Sequence, residues 1–115
     1  MVESCLFCKI VSGEIDARIL HEDDAVVAFR DVNPQAPVHA LIVPRRHVAT
    51  LNDLRPEHGD LVARMVLAAA KVARDQDVAD EGYRLVWNCG AGAGQTVFHL
   101  HLHLLGGRGL SWPPG

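Results

Sequence analysis

The sequence has few of the features that would direct the protein to nucleic acid, to a membrane or out of the cell. Its 14 aspartates and glutamates outnumber its 11 lysines and arginines, and the formal net charge is −3. A general nucleic-acid or anionic-membrane binder usually needs a net basic face that neutralises phosphates. The sequence has no run close to the ~20 apolar residues of a membrane span and no secretory signal pattern. We therefore expect a cytoplasmic protein with a small-molecule partner and neither nucleic-acid nor membrane partners.

Cysteine is also scarce, with three in 115 residues. An odd number cannot form a closed set of disulfides, so in a reducing compartment Cys5 and Cys8 fit better as metal ligands or free thiols. Apolar residues make up 49% of the chain, which suffices for one hydrophobic core. We expect one domain over residues 1–115.

The local patterns predict an α+β domain. Pro56 suits the first turn of a helix, where its missing amide costs nothing. An apolar stripe follows at helical spacing, formed by Leu61, Val62, Met65, Val66, Ala68, Ala69, Val72 and Ala73. With this long helix from about Arg55, the patterns predict a short helix over 5–11 and strands over 17–20, 25–29, 39–43, 83–87 and 98–105. Five strands joined mostly without crossover helices imply an antiparallel sheet.

Three histidines alternate with leucines in the last predicted strand. Strand side chains alternate between faces, so His99, His101 and His103 should share one face. Phe98, Leu100, Leu102 and Leu104 should form the core on the other. Burying three polar rings without partners would cost about 1–3 kcal/mol each. One metal bound by all three is also disfavoured, because the outer Cα atoms of such a strand lie roughly 13 Å apart. The remaining interpretation is a row of polar side chains that faces a cleft.

A glycine-rich segment, residues 90–96, precedes this row. Its backbone N–H groups are expected to approach an anion closely, with Gln95 and Thr96 adding side-chain donors. A glycine-rich connection between strands is usually only a connection. Beside the histidines, it predicts a phosphate site with a candidate nucleophile.

The stretch from His99 to Leu105 resembles the motif His-φ-His-φ-His-φ-φ, with φ apolar, of the histidine triad (HIT) nucleotide-binding family. The similarity extends over residues 7–11, 29–39, 44–47 and the ending Trp112-Pro113-Pro114-Gly115. These flanking segments resemble the HINT branch in particular. Thr96 stands where a serine is common, and Cys89, Gly92 and Ala93 replace a more polar loop, which puts the leaving-group preference in doubt.

The resemblance implies a purine nucleoside phosphoramidase or nucleotidyl hydrolase. His101 would attack the α-phosphorus of a purine nucleoside monophosphate derivative and form a nucleotidyl-histidine that water hydrolyses. His103 and His39 would hold the phosphate and orient the row, with Gln95 and Thr96 near the phosphate and leaving group. Further contacts implied are Asp31 to the ribose, Asn88 to phosphate or ribose, the backbone of Gly94, and a purine wall of Phe7, Ile10, Leu20, Phe29 and Val32. Each wall residue fits a plain core position equally well.

Members resembling this chain also carry a structural zinc. Matching their positions gives Cys5, Cys8, His47 and His99 as a tetrahedral Cys2His2 site closed to substrate. The alternative is a pair of buried thiols without metal. The family is typically a homodimer whose two sheets join into a ten-stranded sheet, and its tail, here around Trp112, reaches towards the partner's site.

A second function remains open beside the hydrolase. The same pocket would serve a purine-nucleotide-binding sensor or interaction module in which turnover is incidental. A zinc-stabilised domain without chemistry is the third alternative, and the intact histidine motif argues against it. Loss of turnover with retained nucleotide binding when His101 is replaced would separate the first two.

Overall fold

A computed structural model describes residues 2–115. Its helices are α1 (Leu6–Val11) and α2 (Gly59–Asp75), and short 3-10 turns cover Leu51–Asp53, Pro56–His58 and Ala91–Ala93. The strands are β1 (Ile19–Glu22), β2 (Val26–Arg30), β3 (Val38–Pro44), β4 (Tyr83–Val86) and β5 (Leu102–Gly106). All neighbouring strands pair antiparallel in the order β1-β2-β3-β5-β4. This confirms the predicted five-stranded antiparallel sheet with one long helix.

Helix α2 covers one face of the sheet. Because β-strand residues alternate faces, Ala40 and Ile42 share a side with their β5 partners Leu104 and Leu102. These side chains pack with Met65 of α2 in the larger core cluster. The predicted helical stripe is correct for Met65, Ala68, Ala69, Val72 and Ala73, but Val66 is exposed.

A second, smaller core covers the opposite face. Cys5, Phe7 and Cys8, from the start of α1, pack here against strand residues of β2 and β3. Leu41 belongs to this cluster and is the register partner of His103. The predicted separation of a leucine face from a histidine face is therefore confirmed for β5. The second apolar cluster, below the histidines, was not predicted.

The last strand is shorter than predicted. It begins at Leu102 instead of residue 98, because the preceding segment bonds to the chain after β3 instead of to a neighbouring strand. The Leu100 N–H donates to the Val48 carbonyl at 2.6 Å. Phe98 consequently leaves the core and is about half exposed. The first strand also differs, lying at residues 19–22 instead of 17–20.

Asp23 holds the turn between β1 and β2. Burial opposes ionisation of its carboxyl, but hydrogen bonds from the Ala25 N–H, the His21 ring and the Val26 N–H outweigh it and lower its pKa to about 2. The two N–H groups reach Oδ1 at 2.8 Å, and the His21 ring lies 3.0 Å from Oδ2. The carboxylate therefore stabilises the folded state in its ionised form.

This depressed pKa predicts an acid-dependent loss of stability. The unfolded pKa is near 3.9, so the contribution is complete above pH ~4 and is lost as the pH falls towards ~2. Because the Asp23 carboxylate is partly exposed to solvent, we expect its contribution to the free energy of unfolding to be about 1 kcal/mol. The measurement is the difference in melting temperature between wild type and Asp23→Asn from pH 5 to pH 2. The difference between wild type and Asp23→Asn should become smaller in acid. The control Asp80→Asn, in an exposed turn, should have the same melting temperature as wild type. A wild-type to Asp23→Asn difference that stays constant with pH would contradict the prediction.

Candidate active site and metal-binding cluster

His101 lies at the centre of the histidine row, buried just before β5. Its Nδ1 lies 2.7 Å from the His99 carbonyl oxygen. A carbonyl only accepts, so Nδ1 carries the ring proton and donates it. Burial lowers the pKa of His101, and the hydrogen bond to His99 partly offsets that. The ring is thus held in the tautomer that leaves the Nε2 lone pair free.

A second set of rings lies beside His101. The Gln35 N–H donates to His39 Nδ1 at 3.0 Å, so the His39 proton is on Nε2. That Nε2 lies 3.0 Å from His103 Nδ1 and 3.4 Å from Asp31 Oδ2. His103 Nδ1 therefore accepts, and the proton of His103 resides on its Nε2.

The rings of this second set are neutral near pH 7. Burial lowers the pKa of His39, partly opposed by the charge of Asp31. Burial, with the neighbouring rings of His101 and His39, lowers the pKa of His103 to about 4. The tautomers inferred from the hydrogen bonds therefore apply under ordinary conditions.

His101 and His103 border a cavity of about 310 Å³, which we call the histidine cavity, whereas His99, the third histidine of the row, faces Cys5 and does not line it. Pockets of this size hold small organic ligands. Eight predicted residues line it: Phe7, Ile10, Phe29, Asp31, Val32, Thr96, His101 and His103. No site role was predicted from the sequence for seven further residues that line the cavity, which are Leu6, Ile15, Asp16, Ala17, Arg30, Leu41 and Val97.

Some predicted residues lie outside the lining of this cavity. His39 is behind His103, which it contacts. Leu20 packs against the α2 core on the other side of the sheet. Asn88 is half-buried and Gly94 exposed, and neither lines the cavity. Val32 lines its rim but is fully exposed.

The glycine-rich segment folds on itself. The N–H groups of Ala93, Gly94 and Gln95 donate to the carbonyls of Gly90 and Ala91. Contrary to expectation, these three N–H groups are therefore not available to an anion. Gly94 has φ +92°, a conformation that favours glycine. The buried Gln95 amide accepts from the Gly90 N–H and donates to the Ala49 and Val97 carbonyls. Gln95 therefore supports the loop and does not face the cavity.

Cys5, Cys8, His47 and His99 form a cluster whose candidate ligand atoms all lie within 4.8 Å of one another. Sulfur-to-nitrogen distances are 3.4 Å for Cys5–His99, 3.4 Å for Cys8–His47 and 3.5 Å for Cys8–His99. The two Nδ1 atoms of His47 and His99 are 3.2 Å apart. In a tetrahedral zinc site these edges are about 3.5 Å for S···N and about 3.3 Å for N···N.

The surroundings of the cluster also suit a cation. His99 Nε2 donates to the Pro44 carbonyl at 2.8 Å, which leaves Nδ1 as a lone-pair donor facing the sulfurs. Burial raises the pKa of the Cys5 thiol, an effect that a divalent cation would reverse. This set of three buried residues and the half-buried His47 can therefore bind a metal ion.

His99 connects the cluster to the histidine row. Its ring faces the two thiols, while its carbonyl accepts from the His101 ring. One residue therefore orients both sites.

Comparisons with known proteins agree with this geometry. The family profile described as "Scavenger mRNA decapping enzyme C-term binding" matches residues 4–110. The purine nucleoside phosphoramidase of Escherichia coli is 47% identical over 110 residues, covering 96% of this chain and 92% of that relative. An uncharacterized HIT-like protein of Synechocystis is 52% identical over 115 residues, covering the whole of both chains.

Solved structures agree as well. The crystal structure of a HIT family hydrolase from Legionella pneumophila superposes with a TM-score of 0.96 at 51% identity, covering 97% of this chain and 100% of that one. A HIT family hydrolase from Clostridium thermocellum gives a TM-score of 0.95 at 47% identity, covering 96% of each chain. Similarity at this level over nearly the full length shows the family. The chain therefore belongs to the histidine triad family.

Proposed function

We propose that the protein hydrolyses purine nucleoside phosphoramidates through a covalent nucleotidyl-histidine at His101. The observation that carries the proposal is the hydrogen bond from His101 Nδ1 to the His99 carbonyl, which leaves Nε2 free as a nucleophile in the histidine cavity. A phosphoramidase at 47% identity and HIT family hydrolases of nearly the same fold support it.

The first step transfers the nucleotidyl group. The Nε2 lone pair of His101 attacks the α-phosphorus and forms a P–N bond. The bond from phosphorus to the amine breaks, its electron pair stays on the leaving nitrogen, and that nitrogen takes a proton from solvent. The His99 carbonyl stabilises the positive charge that develops on the His101 ring.

The second step releases the product. Water attacks the phosphorus and loses a proton, the P–N bond to His101 breaks, and nucleoside monophosphate leaves. The Nε2 proton of His103 donates to a phosphoryl oxygen, and His39 keeps His103 in the tautomer that can do so. Thr96 contacts the phosphate or leaving group, and we place Gln95, Gly94 and Asn88 as supports of the same loop and strand end.

The nucleoside occupies the rest of the cavity. Asp31, on its lining, accepts hydrogen bonds from the ribose hydroxyls. Phe7, Ile10 and Phe29 supply apolar surface for the purine, with Val32 at the rim. Phe7 and Phe29 contact each other edge to face, with ring centroids 5.5 Å apart, which is a favourable arrangement for two aromatic rings.

We also propose that Cys5, Cys8, His47 and His99 hold a structural zinc. Two thiolates and two imidazoles with tetrahedral spacing match zinc preferences, and four protein ligands leave no position for substrate. The ion would connect the N-terminal segment to the chain that precedes β5. It takes no part in the chemical steps.

The active unit is proposed to be a homodimer. Strand β4 ends the sheet, and all four of its residues are half-buried. Just after it, the buried Trp87 Nε1 has no acceptor within the described part of the chain. Trp112 in the tail is 82% exposed, which a subunit contact would explain. Light scattering at micromolar concentration should report twice the chain mass, and a monomer would contradict this assignment.

The test of the reaction is direct capture of the intermediate. Rapid acid-free quenching after mixing with adenosine 5′-phosphoramidate should give a protein heavier by one adenylyl group, and peptide mapping should locate that group on His101. A protein that binds AMP tightly but neither turns over the phosphoramidate nor gains this mass would be a nucleotide sensor instead.

None of the helices in residues 2–115 is both long and apolar enough to cross a membrane.

A further inference from the structure

A second cavity of about 490 Å³ lies next to the histidine cavity. We call it the N-terminal groove. Its lining includes Val2, Leu6, His47, Thr96, Val97 and Phe98. Leu6, Thr96 and Val97 line both cavities, so the two adjoin along this shared wall.

Exposed apolar side chains concentrate in the groove. Val2, Leu6 and Phe98 are 41%, 44% and 48% exposed, and all three line it. Large apolar side chains that are exposed together, instead of singly, mark a binding surface. Phe98 belongs to the irregular segment before β5, so its ring lies in the groove instead of in the core.

The polar groups that line the groove determine which substituents it can bind. Among residues 2–115, those that line the groove include no aspartate, glutamate, lysine or arginine. His47 Nδ1 and Cys5 Sγ face the metal-binding cluster. The remaining side-chain hydrogen-bonding groups of the lining are the His47 Nε2 and the hydroxyls of Thr96 and Ser4. The groove therefore suits an uncharged apolar substituent better than a charged one.

We propose that the N-terminal groove binds the apolar substituent of the leaving amine, so that the preferred substrates are nucleoside phosphoramidates of apolar amines. This rests on the proposed function, because it places the nucleotide in the histidine cavity and the scissile bond at the wall the cavities share. The substituent passes Thr96 and Val97 and packs on Leu6 and Phe98. The released product is the free amine, R–NH2.

The test compares three leaving groups on one nucleotide. The substrates are adenosine 5′-phosphoramidate, its N-(2-phenylethyl) derivative and its N-(2-aminoethyl) derivative, whose second amine is charged. We expect kcat/KM for the phenylethyl compound to exceed that for the aminoethyl compound by about tenfold, as an open apolar pocket allows.

Phe98→Ser, alone and with Val2→Ser, should reduce that preference to about two- to threefold. Turnover of the unsubstituted phosphoramidate should remain within about twofold. Both side chains are substantially exposed, so the fold should survive, and metal content and melting temperature verify this. Leu67→Ser removes a comparably exposed apolar side chain from α2 and should leave the preference unchanged.

The possible failures are distinguishable. Hydrolysis of all three substrates at similar kcat/KM would overturn the groove assignment and leave the proposed function standing. A second result would also overturn the groove assignment: the preference is lost when residues 112–115 are removed but is unaffected by Phe98→Ser. The apolar contact would then belong to the tail. Hydrolysis of none of the three would overturn both proposals.

Discussion

Replacement of His101 by alanine should lower kcat for adenosine phosphoramidate by about 10⁴-fold or more, because the variant has no atom that can form the covalent intermediate. Alanine removes the Nε2 nucleophile and leaves the His39–His103 pair and the Asp31 carboxylate in place. Stopped assays with enzyme in large excess over product measure rates this low.

Nucleotide binding separates a chemical role from a structural one in this variant. We expect the Kd for AMP, measured by calorimetry, to change by less than about tenfold, because His101 Nε2 carries a lone pair instead of a proton and so donates no hydrogen bond to the phosphate. His21→Ala, which removes an imidazole bonded to Asp23 at the β1–β2 turn, is the control and should keep full activity. Residual activity of His101→Ala within tenfold of wild type would exclude the nucleotidyl-histidine route.

Loss of the metal site should cause the largest change in stability. Cys8 is almost completely buried, and its Sγ lies within 3.5 Å of both histidine donors. Cys8→Ser should abolish stoichiometric zinc and cost about 3 kcal/mol or more, which lowers the melting temperature by about 10 °C. Treatment of wild type with a strong chelator should give a similar shift, which added zinc reverses.

Cys89→Ser is the matched control for this prediction. Cys89 is a free thiol outside the cluster, so its replacement should change neither zinc content nor the response to chelator. A wild-type protein that keeps its melting temperature after complete chelation would show that the thiols are buried without metal.

Period-two and helical patterns predicted most of the fold, because burial on one face leaves a direct trace in the sequence. The order Leu100, Leu102, Leu104 reads as one buried face, and these residues are indeed buried. The start of β5 could not be predicted in this way. Residues 98–101 keep the alternation, yet the Leu100 N–H bonds to Val48 instead of to a neighbouring strand.

The site was predictable where a motif marked it and not elsewhere. The row from His99 to His103 lies together as expected, and Cys5, 94 residues away from His99, reaches it. Spacing alone would not have joined those two, since the contact depends on how α1 folds over the sheet. The composition of the glycine-rich segment permits its N–H groups to face an anion, but hydrogen bonds within the segment use those of Ala93, Gly94 and Gln95, which composition alone could not show.

The double use of His99 restricts how this stretch of chain can vary in length. Its ring points to the cysteines and its carbonyl to His101, two residues further on. An insertion or deletion between His99 and His101 would disrupt one of the two contacts. If the His99 ring kept its contact with the cysteines, the His101 ring would be displaced from the His99 carbonyl by about 3.3 Å. Variation in length should therefore be confined to the connection before His99, and grafting the catalytic strand into another scaffold requires that His99 and its carbonyl partner move as one unit.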